Sequence, residues 1–213
     1  MIWSINALLV VILLVNLFLL GTSRIHAMVQ GAALHGVLLS AIPILMHGHL
    51  TLLAVLTALA TVTLKGTVIP QMLLKALRDA QVKREIEPVI GLVPTMLLGA
   101  LGTAVSIAFA SRLPLVRGHA ELLIVPAAFS TVLAGFLLLT TRIKAITQVI
   151  GYLILENGIY IFGMLLLDAM PFLVELGILL DLFVGIFVVT IIIHHINREF
   201  SSLDTRLLSS LKE

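Results

Sequence analysis

Lys65, Glu156 and Asp181 are the residues of this 213-residue chain best placed to do chemistry, because each stands inside a long apolar run. Lys65 is ten residues from Lys75, Glu156 twelve from Lys144 and Asp181 thirteen from His194. At a helical rise of about 1.5 Å per residue these separations are about 15, 18 and 20 Å, near the midplane of a hydrocarbon core about 30 Å thick. That is too deep for a lysine to snorkel to water. An ionisable residue there costs roughly 2.5–3.5 kcal/mol on insertion scales, so each needs a reason to be present. Proton movement through a membrane is one such reason. Burial disfavours the charged form of either group and an opposite charge restores it, so a change in the distance between partners drives proton uptake or release. A buried ion pair that only holds helices together is the other reading.

Further candidates are less central. Glu175 follows Pro171 by one turn at the outer end of its run and could end a proton path. It is six residues from Asp181, about 240° around a helix, so the two do not share a face. His35 faces a helix interior, where it could relay protons or sit as a hydrogen-bonded core histidine. His47 and His49 have no further ligands nearby in sequence, so no metal site is expected. Pro70 should free a carbonyl one turn back, near Gly66, and loosen the helix beside Lys65.

The elements that must position these residues are transmembrane helices. The chain is 60% hydrophobic and 11% charged, against about 25% charge in soluble domains. Strand alternation is absent, which leaves helices as the spanning element. Spans are expected at 2–21, 26–46, 50–75, 89–111, 121–141, 145–167 and 172–196, and the first, lacking a basic flank and a cleavage site, reads as a retained helix rather than a signal peptide. Cysteine is absent, which excludes disulfides, thiolate metal sites and iron–sulfur ligation. No nucleotide or cofactor motif is present, and a net charge of +2 gives no footprint for nucleic acid.

Seven spans put the termini on opposite sides. Ten of the thirteen Lys and Arg residues then fall on one side, and only Arg112 and Arg117 on the other. The positive-inside rule makes the first side cytoplasmic, with the N-terminus outside and the C-terminus inside. TSRIHAMVQ (22–30) recurs as TTRIKAITQ (140–148), 118 residues on. Spans 1–3 and 5–7 therefore read as parallel repeats. The domains expected are a first three-helix repeat (1–75), a charged cytoplasmic linker (76–88), a fourth helix with an outer loop (89–120), a second three-helix repeat (121–196) and an amphipathic cytoplasmic tail (197–213). The linker, KALRDAQVKREIEP (75–88), reads as a helical extension. The leucines at 203, 207, 208 and 211 make an apolar stripe in the tail, suited to the membrane surface or a protein partner.

The runs QVIGYLILENGIYIFG (148–163), PFLVELGILLDLFVGIFVVTIIIHHI (171–196) and SSLDTRLLSSLKE (201–213), with TLKGTVIP (63–70) upstream, resemble hydrogenase-4 component E. That family is a membrane subunit of formate-hydrogenlyase-type, group 4 nickel–iron hydrogenase complexes. Its last three helices are similar to the small three-helix subunit of complex I and of Mrp-type cation antiporters. The resemblance implies that Glu156 matches the buried glutamate of that subunit's middle helix and that Asp181 lies near its third-helix acid. It implies a non-catalytic, multi-pass subunit of the cytoplasmic (inner) membrane that binds no cofactor. Its neighbours would be antiporter-like and hydrogenase-arm membrane subunits, with the nickel–iron module reached indirectly. The expected role is a proton or ion relay through Lys65, Glu156 and Asp181. A structural anchor for the hydrogenase arm, or a subunit of an Mrp-type antiporter, are the alternatives.

Overall fold

The computed structural model describes residues 2–47, 52–79, 86, 88–114, 123–166 and 170, together with Leu176, Gly177, Leu180, Phe183, Ile186, Phe187 and Thr190. The named elements are helical: α1 (Ile2–Gly21), α2 (Ile25–His47), α3 (Leu52–Thr61), a π-helical segment (Val62–Val68), α4 (Ile69–Asp79), α5 (Leu92–Ala110), α6 (Ile124–Thr141) and α7 (Ala145–Gly163), the last closed by a 3-10 turn at Met164–Leu166. α3, the π segment and α4 follow one another without a break. Among the described residues six helices are long and apolar enough to cross a membrane, including Val55–Arg78 across that junction. They match the first six expected spans, with ends within about one turn. In the seventh, 172–196, the described residues are helical. Asp181 and Glu175 lie outside the described residues, as does the tail.

With no water in a bilayer core, polar groups must pair within the protein. The hydroxyls do so largely on their own helices. Thr61 Oγ1 donates to the Thr57 carbonyl at 2.8 Å, Thr103 Oγ1 to Gly99 at 2.9 Å and Ser106 Oγ to Gly102 at 2.7 Å. α6 and α7 meet backbone to backbone. A Cβ at Gly158 would lie 2.6 Å from the Val132 nitrogen, and one at Gly151 2.8 Å from the Leu139 nitrogen. Small residues permit that approach, and dispersion contacts hold it in the absence of a hydrophobic drive between helices. α5, by contrast, turns Val93, Leu97, Leu101 and Val105 outward, an apolar face suited to lipid.

The interior is layered. One apolar cluster, toward the basic turns, includes Leu19, Val29, Ala32, Ile69, Leu73, Leu138, Ile150 and Leu153. A second, toward the other end, includes Ile5, Leu9, Leu39, Ile42, Ala128, Tyr160 and Ile161. Between them runs a thin polar layer of Asn16, His35, Lys65, Thr131, Glu156 and Asn157, all buried.

At the basic end the expected helical extension is helical through Asp79 and is not at its far end, where Ile86 and Pro88 lie outside any helix; residues 80–85 and 87 lie outside the described residues. Pro88 has no N–H with which to continue a helix. It pairs instead with Arg142 in an antiparallel bridge. The Ile86 amide donates to the Ser23 carbonyl at 3.0 Å and the Val89 amide to Thr141 at 2.8 Å. The linker is thus held by both repeated turns, Thr22–Gln30 and Thr140–Gln148. The copies differ at their arginines. Arg24 is exposed, whereas Arg142 is 1% exposed and donates from Nη2 to the Leu20 carbonyl at 2.7 Å, at the carbonyl end of α1. Burial lowers the pKa of the Arg142 guanidinium from its ordinary value.

Candidate functional site

Lys65 owes its position to the π segment. Pro70 lacks an amide hydrogen and its ring would clash with a carbonyl four residues back, at Gly66. Widening the helix relieves this, and the Ile69 amide reaches back five residues to the Leu64 carbonyl. The loosening expected beside Lys65 is therefore realised as a π turn that carries Lys65 itself. Gly36 lets α2 lie directly on this turn, since a Cβ there would be 2.7 Å from the Lys65 Cβ.

Across the bundle, the Lys65 Nζ stands 2.9 Å from Glu156 Oε1, with both side chains 5% exposed. The same ammonium donates to Asn157 Oδ1 at 2.9 Å and lies 5.8 Å from the centre of the Tyr160 ring. At this separation in a low-dielectric interior the attraction offsets part of a large desolvation cost. Removing either partner would then leave a stranded charge.

From Lys65 a chain of hydrogen bonds crosses four helices, and its direction follows from chemistry. An ammonium has donors only, so Asn157 must turn its carbonyl oxygen to Lys65 and its amide toward His35. Asn157 Nδ2 lies 3.3 Å from His35 Nδ1. Nδ1 therefore accepts, and the ring carries its hydrogen on Nε2. That nitrogen lies 3.2 Å from Asn16 Oδ1. Asn16 Nδ2 then donates to Thr131 Oγ1 at 2.8 Å, and Thr131 Oγ1 donates to the Ala127 carbonyl at 2.7 Å. The chain runs one way and stops on helix backbone.

Of the expected site residues, the structure brings Lys65 and Glu156 into contact and places His35 one amide away. Asp181 and Glu175 lie outside the described residues, so their meeting with Lys65 rests on the sequence alone. Sequence reasoning passed over Asn157, Asn16 and Thr131. Asn157 had a signal, as the neighbour of Glu156 in the LENG run, and Asn16 is an amide deep in an apolar helix. Neutral polar residues inside spans are common glue, and the same helix carries a second amide at Asn6, so these stood out less than the charges. Among the described residues no group of three His, Asp or Glu gathers to hold a metal.

Comparison with known proteins adds family and little chemistry. No family model matches the chain, and no solved structure matches it. It is 31% identical over 208 residues, 95% of this chain and 93% of the relative, to "Uncharacterized protein Rv0085" of Mycobacterium tuberculosis. It is 32% identical over 101 residues to hydrogenase-4 component E of Escherichia coli, 47% of this chain and 46% of that protein. The same protein of Shigella flexneri matches to the same extent. The chain belongs to the family of the mycobacterial protein Rv0085 and is distantly related, over about half its length, to hydrogenase-4 component E.

Proposed function

We propose that this chain is a non-catalytic membrane subunit of a hydrogenase-type complex related to complex I, and that Lys65 and Glu156 hand on a proton at its middle. The observation that carries the reading is the ion pair of 2.9 Å between two side chains each 5% exposed. It is built on a π turn, a geometry frequent at functional sites. The similarity to hydrogenase-4 component E of Escherichia coli supports membership of a multisubunit assembly. In that assembly the redox metals belong to other subunits, and antiporter-like and hydrogenase-arm membrane proteins are the neighbours. The basic turns face the cytoplasm and the protein resides in the inner membrane. Asp181 and Glu175 join the relay from the last span. His35 acts beside the ion pair through Asn157.

The test is Glu156→Gln in the intact complex, with ion translocation measured against hydrogen turnover in native membranes. Loss of coupling in a complex that still assembles and turns over hydrogen supports the relay. Unchanged coupling sinks it. One observation favours a second reading: the pair is closed and braced by Asn157. In a structural anchor, Glu156→Gln would deplete the assembled complex and leave coupling per complex intact.

A further inference from the structure

A relay needs contact with water, and the hydrogen-bond chain from Lys65 does not provide it. Two of its links are carboxamides, which orient neighbours but do not readily take up and release protons at neutral pH. Its far end is the Ala127 carbonyl, an acceptor already inside a helix. The way to water lies elsewhere.

Beside Lys65 and Asn157 the bundle leaves a cavity of about 10 Å³, about the room that one water requires. Lys65 and Asn157 supply its polar end, and Val29, Ala32, Ile69, Pro70, Leu73 and Leu153 wall the rest. All of these apolar residues except Pro70 belong to the basic-end cluster. Val29 and Ala32 precede His35 on α2, Leu153 precedes Glu156 on α7, and Leu73 follows Lys65 by two turns on α4. The cavity therefore opens off the ion pair toward the basic turns. It also touches Pro70, so it sits where the helix register is disturbed.

We infer that this cavity is a water-binding site and the inner end of a proton route from the basic-end aqueous phase to Lys65. A water there accepts a hydrogen bond from the Lys65 ammonium and carries a proton to or from it. The side toward Leu39 and Ile42 stays dry. The role of the water in coupling rests on the relay reading; the presence and sidedness of the water do not.

The natural chain has no cysteine, so single thiols can map water directly. Leu73→Cys, Val29→Cys, Leu39→Cys and Leu138→Cys would be made one at a time in the full chain. Each would be labelled with N-ethylmaleimide in native membranes that hold the complex. A thiol sealed among apolar groups loses about tenfold in thiolate for each unit its pKa rises. The expected result is that Cys at 73 and 29 reacts at least about tenfold faster than at 138 and 39. Equal slow labelling at all four positions, or faster labelling at 39, overturns the proposal. Ala32→Val in the Leu73→Cys background narrows the cavity and should abolish the fast labelling; persistence of the fast rate also overturns it. The two readings fail separately. Lost coupling in Glu156→Gln with slow labelling throughout keeps the relay and removes this route. Fast labelling with unchanged coupling keeps the route and removes the relay.

Discussion

Because Lys65 can only donate, one residue sets the polarity of four others. It turns Asn157, which selects the His35 tautomer, which turns Asn16, which leaves Thr131 to spend its hydrogen on Ala127. Nitrogen NMR of the ring should show a hydrogen on Nε2 and a lone pair on Nδ1; the opposite tautomer would contradict the chain. His35→Leu should cost about 1–3 kcal/mol by stranding two amides. His35→Gln, which retains one acceptor and one donor, should recover part of this in thermal unfolding in detergent. The ion pair behaves differently. Glu156→Gln or Lys65→Met alone should destabilise by about 3–5 kcal/mol, and the double substitution by clearly less than the sum. Additive losses would mean that the two charges are not each other's partners.

At the scale of elements, the π turn and the glycine facing it are one device. Gly36→Ala would force α2 away from the Lys65 backbone at a cost of about 1–3 kcal/mol. It should also lower coupling with little effect on the α6–α7 contact. Gly158→Leu should do the reverse, separating α6 from α7 and reducing the yield of folded protein. Measured side by side by unfolding and by translocation, the two variants separate site geometry from scaffold. The helices themselves were legible in the sequence, since six apolar runs with polar turns predict α1 to α7 closely. Pro70 announced a disturbed helix. That the disturbance takes the form of a π turn placing Lys65 in the bundle depends on α2, with Gly36, lying against it. The far end of the linker, at Ile86 and Pro88, departs from a helix for a related reason. Its composition suits a helix, but its backbone pairs with two turns from opposite halves of the chain.

For the whole molecule, the apolar face of α5 and a family shared with a protein of unassigned role make partners the decisive question. Mild-detergent purification of the tagged chain should bring hydrogenase subunits with it; antiporter subunits alone would displace the proposed assembly. The sequence by itself determined the class of molecule, the first six spans and the presence of expensive charges in mid-span. Hydropathy and charge are read locally along the chain, and a bilayer enforces them locally. Tertiary structure alone decided that Lys65 meets Glu156, that Asn16, His35, Asn157 and Thr131 complete the polar layer, and that Arg142 is buried while Arg24 is not. These partners are 19 to 122 residues apart. Which polar groups meet is settled by how the helices pack, because each buried donor must find its acceptor across an interface that no single segment specifies.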